Sequence, residues 1–382
     1  MTETNATSEC CCTCQSWHGI RVNEPRRWKD VLYHDAMFDA FYGSGKAETE
    51  DMSLPVIFGK MSHGEIVTRD LARMPHLLIG GMTGSGKSVF LHDLVCSLVQ
   101  NHSPEQVRFI LMDPKRVEFE GYAKLPHLYS PIVHEPEQGV AIIKHVEIEM
   151  DRRLALFGEK GCRNIEDFNN TNEGMRLPYI IVVIDELSDF IVGSDGTFES
   201  TASRIAAVGR LAGVHLVMAT ARLGANVVSD RLKANIPERL AFRVYQKIDS
   251  RALLGEYGAE ELLGRGDALL KDCNGAIVRL QVPYIRDEAV TRIVDTAIAR
   301  YSGQQFADGI AAATAEKEDY ESMYARAIDL VRTTRRASTS WLQRQLNIGY
   351  NDASHVMSLL EERGIIGPTN DKSPREILIE DN

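Results

Sequence analysis

The 382-residue sequence lacks any apolar run near the ~18 residues that a membrane span requires. It also lacks the charged, apolar and small-residue succession of a secretory signal peptide. From these two absences we expect a soluble, cytoplasmic chain with no membrane segment. Positive charge is in deficit, with a net charge of −11. That excludes a surface that grips nucleic acid everywhere, but not a local basic stripe, because steering follows local potential. Cysteine is unevenly placed. Of the seven, Cys96, Cys162 and Cys273 are scattered, as suits reduced thiols, while Cys10, Cys11, Cys12 and Cys14 crowd the N-terminus near His18. A soft metal is one reading of that crowd. The contiguity of Cys10 to Cys12 fits zinc-ligand spacing poorly, which favours a polar tail with incidental thiols. Internal repeats are absent. What the chain has is material for a core: 44% of residues are hydrophobic. That excludes a disordered chain, and the length gives room for about two or three domains.

The most informative stretch is Gly81-Met82-Thr83-Gly84-Ser85-Gly86-Lys87-Ser88, a full match to the phosphate-binding pattern G-x-x-x-x-G-K-[ST]. Its flanks give the match meaning. The apolar run His76–Gly80 reads as a buried strand, and Val89–Leu98 reads as an amphipathic helix. In that setting backbone N–H groups turn toward phosphate oxygens and the helix N-terminus adds its positive end. Lys87 is placed to reach the β- and γ-phosphates of ATP, and Ser88 to hold Mg²⁺. A second signature is the apolar run Ile180–Ile184 followed by Asp185 and Glu186. It delivers two carboxylates at the C-terminal end of a strand, where ligands of parallel α/β sheets bind. Successive strand residues point opposite ways, so the pair divides into two roles. Asp185 orients Mg²⁺ and Glu186 polarises the attacking water.

Residues 1–20 read as a tail and 21–75 as a lead-in subdomain with a strand candidate at Pro55–Gly59. An ATPase domain is expected over 76–300, a linker over 301–320 and a small domain over 321–382. In the ATPase domain, strands are expected at His76–Gly80, Val107–Met112, Tyr179–Ile184, Val214–Ala219 and Arg239–Val244. Helices are expected at Ser88–Val99, Gln138–Phe157, Ser200–Ala212 and Val227–Ala234. This alternation predicts a mostly parallel sheet covered on both faces. The ending offers helices at Met323–Arg332, Ser338–Leu346 and Tyr350–Arg363, then a strand pair around Ile365-Ile366 and Ile377–Ile379. That is the pattern of a winged helix-turn-helix.

Several further motifs occur in order: Asp113-Pro114-Lys115, Glu149–Arg153, Lys233–Pro237, Lys247–Arg251, Gly258–Glu260 and Leu262–Gly264 with Gly266-Asp267. Together with the loop and the acid pair they resemble the motor domain of the FtsK/SpoIIIE family of double-stranded DNA translocases. The ending, with Arg336–Ser338, Gln343–Gln345 and Ile348–Asn351, is similar to that family's winged-helix γ domain. The resemblance implies a RecA-like P-loop fold, assembly into a homohexameric ring, and double-stranded DNA in the central channel. It implies that Arg210, assisted by Arg204, completes the ATP site of a neighbouring subunit as an arginine finger. It places channel contacts at Arg222, Lys233, Lys247 and Arg251, cations suited to phosphates rather than bases. Arg344, Asn347 and Asn351 are the candidates for base contact in the winged helix, and a site-specific recombinase is a candidate partner.

Two departures from the family pattern stand out. The run Ala219–Leu223 carries Ala221 where the family has a glutamine that senses the γ-phosphate, and a methyl group cannot hydrogen-bond. Thr220 is a partial substitute. In the recognition helix, Asn347, Asp352 and His355 stand where the family has arginines. Beside a translocase, two readings therefore stay open: a conjugative or packaging DNA pump, and a nucleotide-gated clamp with little hydrolysis. A winged helix that binds protein instead of DNA is a third.

Overall fold

Unbroken apolar strands account for the centre of the fold. The computed structural model describes residues 33–35, 52–172, 174–224, 227–302, 324–346, 350–367 and 377–378. The expected Cys-rich tail, most of the stretch before residue 52, residues 303–323 and Asn347 lie outside the described residues; of Asn351 only the helical backbone is described. The chain divides into two compact units, Met1–Phe306 and Ala307–Asn382.

The first unit is built on a nine-stranded sheet of order β2-β1-β9-β8-β7-β3-β6-β5-β4. Its strands are β1 (Pro55–Lys60), β2 (Ile66–Asp70), β3 (Leu77–Gly80), β4 (Val107–Met112), β5 (Tyr179–Ile184), β6 (Val214–Thr220), β7 (Glu238–Phe242), β8 (Asp267–Lys271) and β9 (Ile277–Gln281). The block β7-β3-β6-β5-β4 is parallel throughout. Every residue of β3, β4 and β6 is buried, as a sheet covered on both faces demands. The remaining pairs, β7·β8, β8·β9, β1·β9 and β1·β2, are antiparallel. The sheet is therefore mixed, a parallel block of five strands extended by antiparallel ones.

The helices of this unit are α1 (Lys87–Asn101), α2 (Pro136–Lys160), α3 (Ile165–Thr171), α4 (Leu187–Val192), α5 (Thr197–Val208), α6 (Asp230–Ala234), α7 (Lys247–Leu254) and α8 (Asp287–Arg300). On one face, α1 and α8 bury Phe90, Leu94, Leu98, Ile293 and Ala297 in a core shared with β1, β3 and β4. Helix α2 starts with Pro136 in its first turn and stops at the left-handed Gly161, the expected punctuation at each end. A short anchor, residues 33–35, fastens to this unit. His34 N–H donates to the Tyr284 carbonyl (3.0 Å), and His34 Nδ1 lies 2.5 Å from Oδ1 of buried Asp93 on α1.

The second unit contains α9 (324–334), α10 (Thr339–Leu346) and α11 (Tyr350–Glu362). They enclose Ala327, Val331, Leu342, Val356, Met357, Leu360 and Ile366. Among the described residues, an antiparallel bridge Ile366↔Ile377 marks the wing of this winged helix.

Candidate nucleotide site

The Gly81–Ser88 loop leaves the C-terminal end of β3 and runs directly into α1. Two of its glycines are dictated by space. Gly81 has φ +156°, and a Cβ there would lie 2.7 Å from Phe242 Cβ and 2.8 Å from Ser85 Oγ. Gly86 has φ +123°, and its Cβ would meet the Gly266 backbone nitrogen at 3.0 Å. The loop is braced from behind: Met82 N–H donates to the Arg243 carbonyl (2.8 Å) and Gly266 N–H to the Ser85 carbonyl (3.0 Å). No side chain caps the start of α1, so its first N–H groups remain available to an anion. Thr83 and Gly84 are exposed at the tip.

Lys87 is buried, and its Nζ donates to the carbonyls of Gly81 (2.7 Å) and Met82 (3.2 Å). Burial pushes its ammonium below the usual lysine value, against the pull of Glu186 and Asp185. Ser88 Oγ donates to Asp185 Oδ1 at 3.1 Å, which joins the loop to the end of β5. Burial, followed by the nearby Glu118 carboxylate, raises the Asp185 carboxyl. These two hard oxygen donors suit Mg²⁺, which binds through one or two protein oxygens plus substrate phosphates. Among the described residues there is no group of three or more His, Cys, Asp or Glu that could hold a metal by itself. The ion would therefore share its coordination with a bound nucleotide.

Glu186 is buried and thoroughly hydrogen-bonded. It accepts from Thr220 Oγ1 (2.7 Å), Ser188 Oγ (2.9 Å) and the Ala221 N–H (3.1 and 3.3 Å to its two oxygens). Lys115 Nζ lies 3.5 Å from Glu186 Oε2. Burial pushes this carboxyl up. The donors and the Lys115 charge outweigh it and hold the group below its ordinary value. Glu186 is thus an anion at neutral pH. Position 221 contributes through its backbone rather than its side chain, and Thr220 supplies the hydroxyl.

Arg210 lies apart from this cluster. The expected helix ends at Val208, and Arg210 falls in a 3₁₀ turn, Gly209–Ala212, that precedes β6. Its Nη1 donates to the Arg73 carbonyl (3.2 Å), ahead of β3. The loop sits at the other end of those strands, about 20 Å away at ~3.3 Å per residue. Arg204 pairs with Glu147 (2.8 Å) and Asp151 (2.9 Å) on α2.

The four expected channel cations separate. Arg222 is exposed on the segment after β6, and Lys247 and Arg251 are exposed one turn apart on α7 rather than on a loop. Lys233 is buried in α6, with Nζ 3.7 Å from Asp230 Oδ1. Arg344 is exposed on α10. The sequence motifs include Lys115 without giving it a role, and they leave out Glu118 and Ser188. The signal for Lys115 was the Asp113-Pro114-Lys115 run directly after an apolar strand.

Residues 39–225 match the sequence profile of the FtsK/SpoIIIE family, and residues 318–380 match that of the Ftsk gamma domain. The chain is 35% identical over 405 residues to the DNA translocase FtsK of Brucella melitensis biotype 1, covering 94% of this chain and 49% of the relative. It is 38% identical over 341 residues to the DNA translocase SpoIIIE of Bacillus subtilis, covering 86% and 43%. It thus spans about half the length of the curated relatives it matches. Among solved structures it resembles the pCW3 conjugation coupling protein TcpA with ATPγS, at 28% identity and TM-score 0.58, over 64% of this chain and 71% of that one. The cytoplasmic domain of the type VII secretion ATPase EccC from Thermomonospora curvata gives 28% and 0.57, over 64% and 31%. The P-loop ATPase core, the acid pair at the end of β5 and the γ-type winged helix together make this chain a member of the FtsK/SpoIIIE family.

Proposed function

We propose that this chain is an ATP-driven translocase of double-stranded DNA that works as a homohexameric ring. The observation that carries the reading is the convergence of Lys87, Ser88, Asp185 and Glu186 at the C-terminal ends of β3 and β5, in a chain that also carries a γ-type winged helix. The Gly81–Ser88 loop binds the phosphates. Mg²⁺, held by Ser88 and Asp185, would neutralise charge on the phosphate oxygens. Glu186, kept ionised by its donors, orients and deprotonates the attacking water. Arg210 stabilises the transition state from a neighbouring copy, since it cannot reach the loop of its own chain. Arg222, Lys247 and Arg251 supply exposed cations for DNA phosphates, and Lys233, being buried, does not. This local basicity accommodates DNA on a chain with a net charge of −11.

The similarity to a conjugation coupling protein supports a second reading, a DNA pump on the same core. A nucleotide-gated clamp is the third, and the dense hydrogen bonding of Glu186 weighs against it. The test is ATP hydrolysis against duplex length. A translocase hydrolyses faster on longer tracks. A rate independent of DNA, with ATP bound, would replace the motor with the clamp.

A further inference from the structure

The loop after β4 reaches the same site from an adjacent strand. Its organiser is Asp113, fully buried, whose carboxylate accepts from the N–H groups of Lys115 (3.1 Å), Val117 (2.9 Å), Glu118 (2.8 Å) and Phe119 (3.1 Å). Four amides on one carboxylate fix the path of the loop, including Arg116 in the left-handed region at φ 57°. The fixed loop sends Lys115 across the strand ends to Glu186. The two partners are unequal: the Glu186 side chain is 6% exposed and that of Lys115 is 51% exposed. Glu186 does not depend on Lys115 for satisfaction, because Thr220, Ser188 and Ala221 already donate to it. Lys87 is buried and engaged by loop carbonyls. Lys115 is therefore the site cation that changes partner at least cost. Its Nζ approaches Glu186 Oε2 to 3.5 Å, and its charge also acts on Lys87 and Asp185. Ala221 offers no side-chain amide there.

We propose that Lys115 is the γ-phosphate-responsive residue of this site. Its ammonium neutralises Glu186 when no γ-phosphate is present, and moves to that phosphate when ATP binds, releasing Glu186 Oε2 for the attacking water. The inference rests on reading the chain as an ATP hydrolase. Lys115 thus meets the γ-phosphate directly and acts on the water through Glu186, and it gives the site a means to tell ATP from ADP without a glutamine at position 221.

The test compares binding of fluorescent ADP and a fluorescent non-hydrolysable ATP analogue to the full chain and its Lys115→Met and Lys115→Arg variants. Lys115→Met should keep ADP affinity within about twofold and lose the preference for the triphosphate by about tenfold or more, the scale of one charge-assisted hydrogen bond. Its kcat should fall in parallel, and Lys115→Arg should restore the preference in part. An unchanged triphosphate preference in Lys115→Met overturns the proposal. So does an equal loss of both affinities, which would assign Lys115 a structural role. A wild-type chain that binds neither nucleotide defeats the ATP hydrolase reading itself, and this inference falls with it.

Discussion

Replacing Thr220 by Val tests how Glu186 is kept charged. The substitution preserves shape and deletes one hydroxyl, the 2.7 Å donor to Glu186 Oε1. Thr220 is fully buried, so water does not readily take its place. A hydrogen bond to a charged group contributes about 1.5–3 kcal/mol. At 1.36 kcal/mol per pH unit, its loss should raise the pH at which Glu186 takes up a proton by about one to two pH units. The sign follows from the direction of the native shift. Glu186 is held below its ordinary value, so it stays ionised above that range and is lost as a base when pH falls through it. In Thr220→Val that loss begins at a higher pH. The assay is kcat against pH for wild type, Thr220→Val and Thr220→Ser. The acidic limb should move up in the valine variant and stay near wild type in the serine variant. A lower kcat with an unmoved acidic limb would refute the assignment of Glu186 as the base that Thr220 sustains.

Glu186→Gln should reduce hydrolysis by about 10²–10⁴-fold while ATP stays bound, as removal of a general base does; normal turnover would transfer that role to another group. Gly86→Ala forces a side chain into φ +123° against the Gly266 backbone. It should cost about 1–3 kcal/mol, read as a lower melting temperature and weaker nucleotide binding, and an unchanged melt would mean that the brace from Gly266 yields freely. Arg210→Ala should be inactive alone yet regain activity when mixed with Lys87→Ala, because each supplies what the other lacks. No recovery at any mixing ratio would remove Arg210 from the site of a neighbour.

Contiguous features were legible in the sequence. The loop and the acid pair each lie within eight residues, and β4 and β5 fall on Val107–Met112 and Tyr179–Ile184 as their apolar runs predict. The contacts within the site were not legible, because its parts come from three chain segments. Lys115 follows β4, Glu186 follows β5, and Thr220 ends β6; only the order β6-β5-β4 brings them together. Periodicity reports whether a strand forms, not which strand lies beside it. Strands β8 and β9 escaped for another reason. Each is five residues long, and β9 places Arg279 against buried Asp267 of β8 at 2.6 Å, so charge masks the apolar alternation. Burial of Lys233 is likewise a tertiary outcome that a five-residue helix cannot announce.

Arg210 and the glycine loop occupy opposite poles of the same strands. On the proposed role of Arg210, each copy would give an arginine at one pole and receive one at the other. Repeated head to tail, such contacts either close into a circle or continue as a filament. A dispersed subunit would then burn little fuel, and consumption would start once a neighbour had docked.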